Sequence, residues 1–291
     1  MKAKVRIFIG LVLLMLNTAF YGATKKISDT IILTSPSFTN FNSAKLPLSM
    51  ELNFWNIESY EGKTFLKFSK KTDSIEFYAE LSNVKQKNPG GWVLGYPEVF
   101  YGFKPWLSNG ISAKIWPLPC KISELQDVYF GFDYEVWYEN NLPVNLAMET
   151  WVTKEKYPGM VKEGEVEIMV WLYCNILNPA GFKVDSVEIP IVINGEEKTL
   201  TWEVWFSKMN WDYIAFKPNV LNQKAKVEIP VKPFVEKARE VISKYSERVK
   251  VEDFDNMFFE VWETGTEFGD PNTTSLKMGY RFSDFNIKKR K

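Results

Sequence analysis

Two glutamates stand out because their surroundings suit nucleophilic or acid–base chemistry. The first is Glu167, in segment 164–173, where the side chains of a strand would alternate between two faces. One predicted face is aliphatic and belongs in a core: Val166, Ile168, Val170 and Leu172. The other mixes carboxylates with Met and aromatic rings: Glu165, Glu167, Met169, Trp171 and Tyr173. Such a face is typical of the floor of an aromatic-lined groove, with an ordinary exposed strand glutamate as the alternative.

The second glutamate is Glu267, which follows a strand-like run and lies between Gly265 and Gly269. Glycine permits backbone conformations that present a neighbouring side chain over the edge of a cleft. A surface turn that happens to contain a glutamate is the alternative.

Composition limits the chemistry to carboxylates. The chain has no histidine, which excludes a Ser-His-Asp triad, a Cys-His dyad and a histidine-bound metal. Its two cysteines, Cys120 and Cys174, are too few for a four-thiolate zinc site. Thirty-six basic and 36 acidic residues give zero net charge, so electrostatics favours neither nucleic acid nor an anionic membrane as partner. Acid–base catalysis would therefore depend mainly on carboxyl groups with shifted pKa values.

The elements that must position these glutamates are mainly strands. Short runs rich in β-branched and aromatic residues alternate with turn residues: Ser74–Leu81, Val128–Tyr138, Leu146–Val152, Val166–Tyr173, Ser186–Ile193 and Thr199–Phe206. Asn194-Gly195 predicts a two-residue hairpin turn. Segment Pro233–Lys250 has apolar residues at helical spacing and predicts one amphipathic helix lying on a sheet. The pattern indicates an all-β sandwich or jelly roll.

The N-terminus resembles an export signal. Three basic residues precede the apolar run Ile7–Leu16, and the small residues Gly22 and Ala23 follow. We expect a signal peptide over residues 1–23, a secreted protein and a single mature domain over residues 24–291. A retained membrane anchor is the alternative. Export permits a disulfide between the two cysteines, and two unpaired thiols are equally compatible with the sequence.

Several segments resemble glycoside hydrolase family 12. Glu167-Ile168-Met169-Val170-Trp171-Leu172 is similar to the nucleophile strand of that family, and Gly265-Thr266-Glu267 is similar to its acid/base motif. Gly95-Tyr96-Pro97-Glu98, followed by Tyr101-Gly102, resembles a further family segment. Asn53-Phe54-Trp55-Asn56 resembles the N-terminal motif in which a tryptophan stacks on a glycosyl unit. The similarity extends from about Leu52 to Phe282.

The resemblance implies a β-jelly roll of two curved antiparallel sheets, the inner one forming an open cleft for a polysaccharide. It implies a retaining endo-β-1,4-glucanase with Glu167 as nucleophile and Glu267 as acid/base. Glu149 replaces the aspartate that commonly accompanies the family's nucleophile, and is a possible partner of Glu167. Further candidates for substrate binding come from the motifs or lie near them: Asn53, Trp55, Trp92, Tyr96, Glu98, Met169 and Trp171.

Several alternatives remain open. Trp92 and Trp171 could equally be core residues, and Glu98 could be a solvated surface residue. The segment Asp253–Asn256 could supply calcium ligands, but a polar turn is favoured, and no metal or cofactor is expected. We expect a monomer that acts on β-glucan and makes no membrane contact after signal removal. A secreted glucan-binding jelly roll without activity, or a xyloglucan-preferring enzyme, is the alternative.

Overall fold

The computed structural model describes residues 24–27, 29–219 and 222–290. The predicted signal peptide, residues 1–23, lies outside this range. Within it, no helix is both long and apolar enough to cross a membrane.

Eighteen strands account for most of the described residues. In chain order they are β1 (Lys25–Ile27), β2 (Thr30–Leu33), β3 (Phe38–Asn42), β4 (Pro47–Glu51), β5 (Ile57–Ser69), β6 (Ser74–Gln86), β7 (Glu98–Gly102), β8 (Cys120–Lys121), β9 (Val128–Tyr138), β10 (Asn145–Thr153), β11 (Val166–Cys174), β12 (Phe182–Ile193), β13 (Glu196–Lys208), β14 (Asp212–Pro218), β15 (Lys224–Pro230), β16 (Phe258–Phe259), β17 (Val261–Gly265) and β18 (Leu276–Lys289). The helices are α1 (Val231–Tyr245) and α2 (Val251–Phe254), and Ile122–Glu124 form a 3₁₀ turn.

Hydrogen-bonded pairing arranges the strands in two layers. The outer sheet has the order β1-β2-β5-β6-β18-β9-β15-β12, and the inner sheet has the order β3-β4-β7-β17-β10-β11-β14-β13. The long β12–β13 hairpin joins them. Pairs are antiparallel except β11–β14, which is parallel. The predicted β-jelly roll of two curved sheets is therefore confirmed, with one parallel pair that was not foreseen.

Alternation along the strands builds the core. Val166, Ile168, Val170 and Leu172 are fully buried between the layers, as their spacing predicts. The outer sheet covers them with its own inward rows, which include Phe77 of β6 and Phe132 of β9. Each of the six predicted strand segments lies within a strand of the structure. The inner sheet therefore has one face in the core and a second face free to form a site.

The Asn194-Gly195 hairpin is also confirmed. Ile193 pairs with Glu196, and both turn residues have positive φ, 53° at Asn194 and 86° at Gly195. Positive φ at both central residues is the requirement of the tightest hairpin turns, and Asn-Gly meets it with little strain.

The amphipathic helix begins and ends earlier than predicted. It spans Val231–Tyr245, and the backbone of Ser246 is extended. The Ser246 hydroxyl accepts hydrogen bonds from the backbone N–H groups of Arg248 and Val249, which gives the chain a local alternative to another helical turn. The pattern of apolar spacing could not show this competing bond.

Helix α1 is held to β13 and β14 through the aromatic ring of Phe234. This ring is fully buried, with its centroid 4.9 Å from that of Trp202 and 5.1 Å from that of Phe216. Both contacts are edge-to-face, the arrangement that aromatic pairs prefer. Ala238, Val241 and Ile242 extend the same buried face.

Both cysteines are free thiols, which excludes the disulfide alternative. Cys120 lies in β8 and Cys174 at the end of β11. In the polar segment near α2, Asp255 forms a bidentate ion pair with Arg239.

The helix contact gives a stability prediction. Phe234→Ala should lower the free energy of unfolding by about 3–5 kcal/mol, because it leaves a cavity among Trp202, Phe216 and the helix. Guanidinium unfolding followed by far-UV circular dichroism measures the change. Lys232→Ala, at an exposed position of the same helix, is the matched control and should change the value by less than about 0.5 kcal/mol. A loss below about 1 kcal/mol in Phe234→Ala would contradict the packing described.

Candidate active site

The second face of the inner sheet gathers carboxyl groups. Register places Glu149 of β10 opposite Met169 of β11 and opposite Glu263 of β17, while Trp151 lies opposite Glu167. Six glutamates lie on this face or at its edge: Glu51, Glu98, Glu149, Glu167, Glu263 and Glu267. A hydrophobic cluster that is separate from the main core lies among these glutamates. It contains Met169, Trp171 and Tyr213. Four of these six glutamates were singled out from the sequence: Glu167 and Glu267 as catalytic, Glu149 as a possible partner of the nucleophile, and Glu98 as a candidate for substrate binding.

Glu167 is 7% exposed and is held by one strong hydrogen bond. The indole N–H of Trp211, just before β14, donates to Glu167 Oε2 at 2.6 Å. Burial raises the pKa of Glu167 to about 8, the Trp211 bond opposes this, and the charges of Glu267 and Glu263 add to the rise. A hydrogen bond donated to a carboxylate stabilises its charged form.

Glu267 is fixed from both its side chain and its backbone by one residue, Asn145 of β10. The Asn145 amide donates to Glu267 Oε2 at 2.5 Å and accepts from the Glu267 backbone N–H at 2.9 Å. The Asn145 N–H donates to the Glu267 carbonyl at 3.0 Å. Burial raises the pKa of Glu267 to about 7, against the lowering effect of Asn145. The carboxyl is therefore held in one position beside the inner sheet.

Only glycine fits at position 265, two residues before Glu267, for a steric reason. A Cβ there would lie 2.6 Å from the Pro97 carbonyl and 2.8 Å from Glu98 Cβ, far inside contact distance. The close approach of β17 to β7 thus needs glycine at this position, and the path of the chain toward Glu267 depends on it.

Glu149 is buried beside the pair. Burial raises its pKa well above the ordinary value, and the charges of Glu167, Glu263 and Glu267 act in the same direction. Lys104 opposes this rise. A carboxyl with a raised pKa beside Glu167 fits the predicted partner role, because a protonated carboxyl can donate a hydrogen bond to a neighbouring carboxylate.

Three other predicted substrate contacts are buried and form a floor under the site. Tyr96, Met169 and Trp171 have almost no exposed surface, and the Tyr96 hydroxyl donates to the Ala147 carbonyl at 2.8 Å. A sugar ring needs an accessible aromatic face, so burial disfavours Tyr96 and Trp171 as stacking platforms, and for Trp171 it favours the core alternative. Met169, which accepts a bond from Tyr213 through its sulfur at 3.4 Å, likewise offers no surface for a direct sugar contact.

Glu98 also differs from both of its predicted alternatives. It is neither solvated nor available to a sugar, because it is completely buried and bonded to Lys104 Nζ at 2.5 Å. Asn53 donates to the same carboxylate at 3.2 Å and is only half buried. This ion pair would have been hard to foresee, since nothing in the local sequence connects a strand glutamate with a lysine in the following loop.

The exposed aromatic residues remain candidates for binding. Trp55 is 39% exposed and Trp92 is 65% exposed, so each presents ring surface to a ligand. Trp106, not singled out from the sequence, is similarly exposed and packs edge-on against Trp151, with centroids 5.5 Å apart.

Sequence reasoning missed Trp211, Asn145, Lys104 and Glu263. Strand alternation could have indicated two of these residues. Asn145 precedes Ala147 and Glu149 at two-residue spacing on one strand, and Glu263 precedes Gly265 in the same way. Trp211 and Lys104 lie in turns, where alternation says nothing about direction.

A two-layer β-jelly roll with Glu167 on its inner sheet and Glu267 at the edge of that sheet is the arrangement expected of a glycoside hydrolase, a class in which two carboxyl groups carry the reaction. The family can be stated more closely. Residues 46–288 match the family model of Glycosyl hydrolase family 12, and the chain belongs to that family.

Solved structures agree in fold. Endoglucanase cel12A from Rhodothermus marinus superposes with a TM-score of 0.64 at 22% identity, over 89% of this chain and 98% of that one. A family 12 xyloglucanase from Bacillus licheniformis gives 0.63 at 16% identity, over 89% and 100%. Endoglucanase 3 from Trichoderma harzianum gives 0.59 at 15% identity, over 89% and 98%. Comparison with curated proteins gives no match.

The hydrogen bond from Trp211 gives a prediction on ionisation. Trp211→Phe should raise the pKa of Glu167 above about 8 by roughly one unit, because the donor that favours its charged form is lost. Titration of ¹³C-labelled glutamate carboxyls by NMR measures this shift. Trp137→Phe, in β9 of the outer sheet, is the matched control and should leave the Glu167 titration unchanged. A Glu167 pKa that stays the same or falls in Trp211→Phe would contradict the assignment.

Proposed function

We propose that this protein is a retaining endo-β-1,4-glucanase with Glu167 as nucleophile and Glu267 as acid/base. The observation that carries the proposal is the environment of the two carboxyls. Glu167 accepts the Trp211 bond, Glu267 is clamped by Asn145, and both have pKa values raised toward neutrality. Glu167 and Glu267 are also the glutamates of the two family motifs, at residues 167–172 and 265–267.

In the first step Glu167 attacks the anomeric carbon while Glu267 donates a proton to the departing glycosidic oxygen. In the second step Glu267 accepts a proton from water, which attacks the glycosyl-enzyme and releases the sugar with its original configuration. The mechanism requires one proton on the pair, located on Glu267, when the reaction begins, and the hydrogen bond from Trp211 favours the charged form of Glu167. Because the two groups interact, their titration belongs to the pair, and the rate should depend on pH in a bell shape near neutrality.

Trp211 favours the charge on the proposed nucleophile, because it donates to Glu167 directly. Glu149, whose pKa is raised by burial, lies at a neighbouring position and is the proposed partner. The exposed rings of Trp55 and Trp92 provide stacking surface for the glucan. The substrate class is β-1,4-linked glucan, cellulose or mixed-linkage glucan, and the chemistry needs no cofactor.

A xyloglucan preference is the second candidate, because one solved structure of the same fold is described as a xyloglucanase. A branched chain needs room at the walls of the cleft. Met160 and Tyr157, in the segment between β10 and β11, are exposed and would lie where such branches could be accepted or refused.

Replacement of either glutamate tests the mechanism. Glu167→Gln should lose at least about 10³-fold in kcat, and Glu267→Gln about 10²- to 10⁴-fold, on barley β-glucan and carboxymethyl-cellulose. Reducing ends are measured, with xyloglucan as a third substrate to rank preference. Glu135→Gln, on the exposed outer sheet, is the matched control and should keep parent activity.

Three results would count against the proposal. Activity that survives either replacement removes that glutamate from the mechanism. Formation of the α-anomer as first product, seen by ¹H NMR, excludes retention. A folded parent that is retarded in a glucan gel but releases no reducing ends is a binding protein without activity.

We also propose that the protein is exported, loses residues 1–23 and acts as a monomer. N-terminal sequencing of the protein recovered from culture medium should begin close to residue 24, and light scattering should give about the mass of one chain. Recovery only in the membrane fraction with Met1 intact would support the retained anchor.

A further inference from the structure

Beside the proposed catalytic pair lies a buried lysine that the mechanism does not use. Lys104 is 1% exposed, and its ammonium contacts three carboxylates: Glu98 at 2.5 Å, Glu51 at 2.8 Å and Glu263 at 3.2 Å. Its Nζ also lies 5.4 Å from the ring centre of Phe100 and 5.3 Å from that of Trp106. Removing an ammonium from water is costly, so the site must supply strong compensation.

Among the ion pairs of the described residues, Lys104 is the only cation that reaches any of the six glutamates of this face. Burial opposes its charge, but Glu263, Glu51 and Glu98 outweigh this and raise the pKa of Lys104 well above its ordinary value. Burial and the neighbouring Glu263 raise the pKa of Glu98 well above normal, and Lys104 opposes this rise. One buried cation therefore acts on all three of the carboxyls that contact it.

Register connects this lysine with the nucleophile. Glu263 lies directly opposite Glu149. On the other side, Glu149 lies opposite Met169, which is two residues from Glu167 on β11. Glu263 raises the pKa of Glu149 and Lys104 lowers it, so the two groups act on Glu149 in opposite directions. Lys104 Nζ lies 3.2 Å from Glu263, within ion-pair distance.

We propose that Lys104 is a positioning residue of the active site: its buried ammonium holds Glu51, Glu98 and Glu263 together beside Glu149 and makes the surroundings of Glu167 less negative. Lys104 contacts no substrate in this scheme and acts only through the carboxyls. The inference deepens the proposed function and rests on it for the role of Glu167.

The groups that interact with Glu167 come from four parts of the chain. Glu149 belongs to β10, Glu263 to β17 and Glu267 to the segment after it, while Trp211 directly precedes β14 and Tyr213 belongs to it. The sign of a change at Lys104 follows from this arrangement. Loss of the cation makes the surroundings more negative and raises the pKa of Glu167, and loss of an anion near Lys104 lowers it.

The test measures the ionisation of Glu167 without using catalysis. In ¹⁵N-tryptophan protein the indole N–H resonance of Trp211, assigned by its loss in Trp211→Phe, reports the charge on Glu167. Lys104→Met should raise the midpoint of this titration by about one pH unit, and the acid limb of kcat/KM should move by the same amount. Lys104→Arg should retain the parent midpoint, because it keeps the charge.

Glu51→Gln provides the opposite sign and a safeguard if Lys104→Met does not fold. It removes an anion beside Lys104, so the midpoint should fall by a few tenths of a unit, less than the other shift because Glu51 is 18% exposed and screened. A role for Lys104 in packing alone would lower thermal stability and kcat without shifts of opposite sign.

The outcomes separate this inference from the proposed function. Folded Lys104→Met with an unmoved midpoint, or Glu51→Gln with an unmoved or higher one, overturns the inference even if the parent cleaves glucan. A parent without glucanase activity overturns the function, while the two midpoint shifts would still establish the electrostatic role of Lys104.

Discussion

The structure depends on the burial of carboxyl groups against the inner sheet. A carboxylate loses hydration when it is buried, and it responds by holding its proton more tightly or by finding a cation. Both responses occur here. Burial raises the pKa values of Glu149 and Glu98, and Lys104 forms ion pairs with Glu98, Glu51 and Glu263. The raised pKa values of Glu167 and Glu267 come from the same burial, so the proposed chemistry is a consequence of how the sheet is packed.

The two faces of each inner strand make this possible. On β11 the aliphatic row enters the core while Glu167 and Met169 lie on the opposite side. Hydrogen bonding within the sheet fixes the register, and one residue of slip would exchange the two faces. The large apolar core therefore determines where the carboxyls lie. Asn145 and Trp211 then fix the final orientation of the two side chains.

Much of this could be predicted from the sequence, because alternation is a local signal. The strand at Glu167, the Asn194-Gly195 turn and the apolar face of α1 follow from spacing alone. The sequence left open whether Trp171 is a core residue and did not indicate the burial of Glu98, because both depend on which strands are neighbours. Lys104 comes six residues after Glu98 in a loop, yet its other partners are Glu51 and Glu263, at distant positions in the sequence. The end of α1 was missed because a serine hydroxyl competes with the helix.

The acidic face also sets a thermodynamic cost, whose sign can be worked out. Glu167 and Glu267 have folded-state pKa values of about 8 and 7, above the ordinary value near 4.5. Between pH 4.5 and these folded-state values, the folded protein binds more protons than the unfolded chain. The two groups therefore lower the free energy of unfolding progressively as pH rises through that window. Lys104 limits this loss of stability by compensating negative charge, and burial of the apolar core offsets what remains. A site whose carboxyls were solvated would avoid the cost, but it would also lose the raised pKa that lets Glu267 hold a proton near neutrality.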